Sequence, residues 1–300
     1  LIITGGMTIQ GADGSLVASR LDVAGRGSPS ATGPGAGSNG SNYGGGAGHG
    51  GVGGSSSQVA GGVSYGSLLQ PSTLGSGGGK GSSSVGGAGG GCVRLQVSGI
   101  LTVDGIITAD GKPGGTTGGG GSGGSVWLTV GELRGSGTIS ANGATVSSPA
   151  GSGAGGRIAL YYNTGSFTGM VIAKSGAGRA GGAGTIYTRV LAAGYGTVLV
   201  DNGGQPGDLT PLATPEAFNL VVTGSAVVSG EAPLIVQNLS ITNGGVLTHL
   251  PGQTSLDVTV QGSGHIGPGC AIDVAGKGFT SGLGPGAGPY GPNYGGGAGH

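Results

Sequence analysis

The sequence predicts an all-β protein, and more specifically a parallel β-helix (solenoid) with long glycine-rich insertions between its turns. Three observations lead to this prediction: an alternating apolar run that occurs four times, a shorter run at a fixed distance behind it, and a long-range repeat of an entire segment.

The alternating run lies between residues 92 and 190. Successive side chains of a strand point to opposite faces, so strict alternation of apolar and polar residues predicts a strand with one buried face. A single strand of this kind cannot bury its own face, so the copies are expected to stack on one another. The first apolar residues of the four copies are spaced by 33, 32 and 28 positions, and they are Val93, Val126, Ile158 and Ile186.

A shorter run follows each of the first three copies, and it begins at Ile107, Ile139 and Ile172, at spacings of 32 and 33 residues. Residues 7–25 show the same layout of short apolar runs closed by glycine or another small residue. Three short strands in each turn are what a solenoid with three faces requires.

Composition alone favours disorder, because Gly 82 and Pro 14 make up about a third of the 300 residues. The glycines do not keep a three-residue step, which excludes a collagen triple helix. The apolar residues are instead concentrated in short runs with glycine between them. The longest Gly/Ser-rich insertion, residues 26–91, is either a flexible excursion or a glycine-rich sheet on the outside of the solenoid, and the second alternative is favoured.

The chain divides into four predicted parts. Residues 1–198 form the glycine-rich turns, and residues 199–217, with Pro206, Pro211 and Pro215, form a linker or kink. Residues 218–278 form shorter turns of about 19 residues, and residues 279–300 start the next glycine-rich insertion.

The long-range repeat is the most specific signal in the sequence. Residues 273–300 match residues 22–49 at a constant offset of 251, with 20 of 28 positions identical and no gap. Thr8-Ile-Gln-Gly11 meets Thr259-Val-Gln-Gly262 at the same offset. The natural chain is therefore expected to be a tandem array of units of about 251 residues, and its expected partners are copies of itself.

A family resemblance follows from three runs: Gly-Gly-Ser-Val126-Trp-Leu-Thr-Val, Gly-Thr-Ile139-Ser-Ala-Asn-Gly and Gly-Gly-Arg-Ile158-Ala-Leu-Tyr-Tyr162. They resemble the glycine-rich β-solenoid repeats of very large extracellular proteins of the adhesin-like and filament-forming kind. The resemblance covers most of the chain. It implies surface structure or adhesion at an extracellular or cell-surface location, and no reaction.

Charge and hydropathy exclude several partners. Lys plus Arg and Asp plus Glu balance at 11 each without a basic or acidic run, so a nucleic-acid partner is not expected. No apolar stretch is long enough to span a bilayer, so no membrane insertion is expected in these residues.

Catalytic and metal chemistry find little support. The position before the closing glycine of the short run is occupied by Asp110, Asn142 and Ser175, which gives one acid where a carboxylate pair would be required. We therefore predict no enzyme and no cofactor. His49 and His300 share a repeat position, and a hydrogen bond to glycine backbone is expected there rather than a metal. The two cysteines, Cys92 and Cys270, are expected to be free or simply packed, with a pair between neighbouring copies as the alternative.

The outward-facing side chains of the alternating runs include three aromatics, Trp127, Tyr161 and Tyr187. An exposed aromatic ladder would stack on sugar rings or on another filament, whereas glycine-rich segments could instead cover it as a second layer, and the covered arrangement is favoured. Asn39-Gly-Ser and Asn238-Leu-Ser match the pattern for N-glycosylation.

These observations predict a mechanical function, namely a structural repeat of an extracellular filament, sheath or stalk. An adhesin spacer or a glycan-binding β-helix is the alternative, in which case glycans are a further partner. A carbohydrate-active enzyme is the third.

Overall fold

The computed structural model describes residues 1–13, 17–213, 216–231, 233–250, 252–279 and 283–288. Within these residues all regular secondary structure is β-strand, and no helix occurs. The strands, numbered along the chain, are β1 Ile2–Ile3, β2 Met7–Ile9, β3 Arg20–Asp22, β4 Cys92–Val103, β5 Ile106–Thr108, β6 Ser125–Arg134, β7 Thr138–Ser140, β8 Arg157–Gly165, β9 Met170–Ile172, β10 Thr185–Val190, β11 Thr197–Asp201, β12 Leu209–Leu212, β13 Phe218–Thr223, β14 Val227–Gly230, β15 Leu234–Ile241, β16 Val246–His249, β17 Val258–Val260, β18 Gly264–Ile266 and β19 Ala271–Ile272.

The strands form three sheets. The main sheet has 11 strands in the order β1-β4-β6-β8-β10-β11-β13-β15-β17, with β2 also paired to β4 and β18 to β15. The upstream sheet has the order β3-β5-β7-β9, and the downstream sheet has the order β12-β14-β16-β19. The prediction of an all-β chain is therefore confirmed.

The four alternating runs are β4, β6, β8 and β10, and they pair in parallel. The pairing aligns Val93 with Val126, Val126 with Ile158, and Ile158 with Ile186, which is the register that the spacing of the runs predicts. The apolar side chains of these strands point to one face, where they form the upstream core together with the upstream sheet. Its buried members include Val93, Leu95, Val126, Leu128, Ile158, Leu160, Ile186, Ile107 and Ile139.

The direction of the chain reverses between β10 and β11, which are antiparallel. Ile186 lies opposite Leu199, which packs against the upstream core, whereas Tyr187 lies opposite Val198, which belongs to a second core. After the reversal the buried side chains are therefore on the opposite face of the main sheet. This downstream core lies between the main sheet and the downstream sheet, and it includes Val198, Val200, Leu220, Val222, Val228, Val236, Ile241 and Leu247.

The prediction of a parallel β-helix is wrong. The strands are distributed over a large mixed sheet of 11 strands and two separate four-stranded sheets. The periodicity predicts the parallel neighbours correctly, but it contains no information about the hairpin at residues 191–196. That hairpin changes the strand direction and moves the core to the other face of the same sheet.

Residues 199–217, the predicted linker or kink, contain most of β11 and all of β12. The spacing of 19 residues beyond this point is the pairing register of the next strands, in which Leu220 aligns with Leu239 and Val227 with Val246.

The glycine-rich segments pack into a third structural region, the glycine layer, which comprises the strand-free residues 26–91, 109–124, 141–156 and 173–184. Residues 44–50 lie at its centre and are fully buried. Their backbone groups change partner with a period of three residues. One series of amides donates to the segments at 117–120 and 155: Gly44 to Thr117, Ala47 to Gly120 and Gly50 to Gly155. A second series donates to an earlier segment: Gly45 to the Ser38 carbonyl and Gly48 to the Gly35 carbonyl. A third series consists of carbonyls that accept from a later segment: Gly46 from the Gly62 amide and His49 from the Tyr65 amide.

A period of three residues is the geometry of a polyproline II helix, which makes no internal hydrogen bonds and can bond to neighbours on all sides. Glycine is required because the backbones touch. A Cβ atom on Gly46 would overlap the carbonyl oxygen of Ser152, and one on Gly119 would overlap the carbonyl oxygen of Gly45. The glycine-rich segments are therefore neither a flexible excursion nor an outer sheet, because they form a close-packed interior of backbone.

Candidate functional site

The predicted aromatic column lies on the face of β6, β8 and β10 opposite the upstream core. The strand register aligns Trp127 with Ala159 and Ala159 with Tyr187, while Tyr161 lies two residues further along β8. The rings of Tyr161 and Tyr187 are 5.5 Å apart between centroids, at an interplanar angle of 56°. The three aromatics therefore form a cluster around Ala159 rather than a straight ladder.

A loop of the glycine layer covers this cluster. Tyr187 is only 2% exposed, Leu68 and Leu69 pack against the same group of side chains, and the Tyr161 hydroxyl donates a hydrogen bond of 2.7 Å to the Leu69 carbonyl. Burial raises the pKa of Tyr161 to about 12, because the phenolate would lose its hydration. The arrangement is the covered one, and the surface that remains open is limited to the half-buried Trp127 and Tyr161.

The indole ring of Trp127 has a cation beside it. The guanidinium carbon of Arg94 lies 4.1 Å from the ring centroid, which is within the range of a cation–π contact. The indole Nε1 is buried without a hydrogen-bond partner in the described part of the chain. Contact between this cluster and a glycan or a neighbouring filament stays a prediction.

The two predicted glycosylation acceptors are both exposed, but they differ in their bonding. The Asn39 side chain accepts a hydrogen bond from the Lys80 amide through Oδ1. Asn238 lies on β15, where its Nδ2 donates to Oδ1 of Asn219 at 2.8 Å. A glycan on Asn238 would compete with this bond, so Asn39 is the better placed of the two acceptors.

His49 is fully buried at the centre of the glycine layer. Burial, reinforced by the charge of Arg157, lowers its pKa to about 3, so the imidazole is neutral at ordinary pH. Because a carbonyl only accepts, Nδ1 must donate to the Gly123 carbonyl at 2.8 Å, and Nε2 accepts from the Thr73 hydroxyl at 2.9 Å. The predicted hydrogen bond to glycine backbone is thus confirmed. His300 lies outside the described residues.

No protein-family model matches the chain. Comparisons with curated proteins and with solved structures found no match either.

The structure also places the residues that were considered for metal binding, disulfide formation and catalysis. In these residues no group of three or more His, Cys, Asp and Glu side chains is placed to hold a metal ion. Both cysteines are free and half-buried, and burial raises the pKa of the Cys92 thiol. Asp110 and Asn142 do come together, since Oδ1 of Asp110 accepts a hydrogen bond from the Asn142 amide, and this contact joins neighbouring chain segments. Among the described residues, no helix reaches the length and apolarity that crossing a membrane requires.

The sequence prediction missed Arg157, which is the first residue of β8 and is only 4% exposed. The strand register places it in a column with Cys92, Ser125 and Thr185. At this position the other aligned runs carry small side chains, and the long cationic side chain of Arg157 is the exception that could have identified it. Arg157 also lines a cavity of about 110 Å³ between the glycine layer and the downstream sheet.

Proposed function

We propose that this chain is a structural unit of an extracellular tandem-repeat protein, a filament, sheath or stalk, in which successive units join edge to edge into continuous sheets. The proposal includes no catalytic step and no cofactor. Its main support is that the two ends of the repeat occupy opposite edges of the sheets.

The main sheet carries the same repeat strand at both of its edges. β2 (Met7–Ile9) and β17 (Val258–Val260) are equivalent at the offset of 251 residues. β2 pairs with the following strand β4, whereas β17 pairs with the preceding strand β15 and is the last strand on the path of the described sheet. In an array, a single strand would pair with β15 on one side and with β4 on the other. It would be β17 of one unit and β2 of the next.

Individual backbone groups agree with this junction. The Ile9 carbonyl accepts hydrogen bonds from the amides of Asp104 and Gly105, on the side of the following strand. Its repeat equivalent is Val260. Because the neighbouring Gln261 amide donates to the Val236 carbonyl on the side of the preceding strand, Val260 must face the free edge. The group that is bonded in β2 is therefore available in β17.

The smaller sheets show the same relation. β3 (Arg20–Asp22) and β19 (Ala271–Ile272) are equivalent at the same offset, and they pair with β5 and β16 respectively. The downstream sheet of one unit would thus continue into the upstream sheet of the next.

The junction implies a length and a symmetry. Eight strand-to-strand steps separate β2 from β17 along the main sheet. At about 4.8 Å for each step, one unit would add about 38 Å to the array. The single antiparallel pair reverses strand direction once in each unit, so two units, or about 77 Å, would restore the original direction.

The extracellular location is supported by the resemblance of the repeats to those of very large extracellular proteins. Unpaired strand edges normally invite association, and here the proposed association is with the next unit.

The test is the length of proteins that carry one, two and three consecutive units, measured by small-angle X-ray scattering. We expect the maximum dimension to rise by about 38 Å for each added unit. Val260→Pro at the junction removes an amide that faces the free edge, and we expect it to separate the units. The matched control is Ile235→Pro in the exposed position of β15, which should disrupt one unit internally. Flexibly linked units with no regular length increment would refute the proposal.

A further inference from the structure

A second kind of site follows from the environment of Arg157. Its guanidinium donates from Nε to the Tyr65 carbonyl at 2.9 Å, from Nη1 to the Thr185 hydroxyl at 3.2 Å, and from Nη2 to the Ser64 hydroxyl at 3.3 Å. A guanidinium has five N–H groups, so one on each terminal nitrogen has no partner among the described residues.

The charge of Arg157 also lacks a direct counter-ion. No carboxylate oxygen of a described residue lies within 4.0 Å of its guanidinium nitrogens. Burial lowers the pKa of Arg157 only to about 10, so the side chain stays charged at neutral pH. A buried cation bonded only to neutral oxygens is costly, and an anion that reaches it would be bound with charge-assisted hydrogen bonds.

The space beside Arg157 is open to such an anion. The cavity of about 110 Å³ is lined on one side by residues 64–66 and Leu68 of the glycine layer, and on the other by residues 211–213 and Glu231. Glu231 is exposed, and its carboxylate raises the pKa of Arg157 from a distance. Arg157, with one unused N–H group on each terminal nitrogen, and the carboxylate of Glu231 therefore line the same cavity.

We propose that this cavity binds a small hydroxy carboxylate, such as the acid end of a sugar acid. The ligand carboxylate would accept the two free N–H groups of Arg157, and its hydroxyl would donate to Glu231. Glu231 would repel an anion that has no hydroxyl group to donate to it. Arg157 and Glu231 together would therefore select for a carboxylate with an adjacent hydroxyl.

The probes are glycolate, glucuronate, acetate and chloride at equal ionic strength, with binding to the full chain measured by isothermal titration calorimetry. We expect glycolate and glucuronate to bind several-fold more tightly than acetate, and chloride to bind weakest. Arg157→Lys should weaken glycolate binding about tenfold or more, because an ammonium cannot replace the planar pair of donors. Arg134→Gln, at an exposed arginine paired with Glu132, is the control and should bind as the wild type does.

Glu231→Ala provides a variant that keeps the buried arginine. We expect it to abolish the preference for glycolate over acetate while both still bind. Equal heats for all four anions in the wild type would overturn the proposal. Acetate binding that occurs in Glu231→Ala but not in the wild type would also overturn it, because Glu231 would then be the natural occupant of the site.

Discussion

The upstream core and the glycine layer meet at the beginnings of β4, β6, β8 and β10, and they are built from opposite materials. The upstream core consists of aliphatic side chains, with Leu95, Leu128 and Ile158 almost fully buried. In the glycine layer, buried backbones are hydrogen-bonded to several neighbours, and few large side chains are present. The upstream core is therefore stabilised by removal of apolar area from water, and the glycine layer by satisfied peptide groups in close contact.

The two regions should respond oppositely to a change in side-chain size. Loss of atoms leaves a cavity in the aliphatic core, whereas addition of atoms separates backbones in the glycine layer. Substitutions and a change of pH test this contrast, in order of decreasing predicted loss of stability.

Gly46→Val should abolish folding or cost more than about 5 kcal/mol, because its Cβ would overlap the Ser152 carbonyl and break several hydrogen bonds. Urea denaturation gives the measurement. The control is Gly194→Val in the β10–β11 hairpin, where no other atom lies within 4 Å of the place that a Cβ would take, and the change should stay within about 0.5 kcal/mol. Equal effects at both sites would mean that the layer is not close-packed.

Acid should destabilise the glycine layer through His49. Its pKa is about 3 in the fold against an ordinary value of 6.5, so only the unfolded chain gains the proton between these values. Stability should therefore fall as the pH decreases from about 6.5 to about 3, by about 1.4 kcal/mol for each pH unit and roughly 5 kcal/mol in all. Subtracting the pH profile of His49→Gln isolates this contribution, and His265→Gln at an exposed histidine is the control. Parallel profiles for the wild type and His49→Gln would contradict the prediction.

Ile139→Ala should cost about 3 kcal/mol, within the usual range for a fully buried aliphatic side chain. Ile235→Ala, at a position of β15 that is 46% exposed, should cost less than about 1 kcal/mol. Thermal and urea unfolding of the two variants provide the comparison. A similar cost at both positions would contradict a dry aliphatic core at Ile139.

Tyr161→Phe tests the contact between β8 and the glycine layer. It removes the hydrogen bond to the Leu69 carbonyl and should cost about 1 kcal/mol while leaving the upstream core intact. Tyr195→Phe, at an exposed tyrosine, should be neutral. We expect amide hydrogen exchange near Leu69 to become faster in Tyr161→Phe and to stay unchanged in Tyr195→Phe. Unchanged exchange near Leu69 in Tyr161→Phe would contradict the proposal that this loop covers the aromatic cluster.

The sequence predicts one half of this arrangement well. Alternation identifies which side chains of β4, β6, β8 and β10 are buried, and the repeat spacing predicts their parallel register. Alternation cannot reveal the antiparallel β10–β11 pair, because Ile186 and Leu199 fit the same pattern with either strand direction. That is why the prediction of a parallel β-helix fails.

The glycine layer is harder to predict for a physical reason. Its order depends on backbone contacts between distant segments, such as Gly46 with Ser152, and glycine carries no side-chain pattern that reports burial. The same composition is typical of disordered chains. Arg157 was missed because its partners at Ser64 and Tyr65 are more than 90 residues away in sequence.

Amide hydrogen exchange compares the two regions most directly. If the glycine layer is a hydrogen-bonded interior, the amides of Ala47, Gly48 and Gly120 should exchange as slowly as those of the β6 strand, close to the limit set by global unfolding. Exchange of these glycine-layer amides within seconds, with β6 still protected, would show that the segments are loose coverings and would contradict a close-packed interior of backbone.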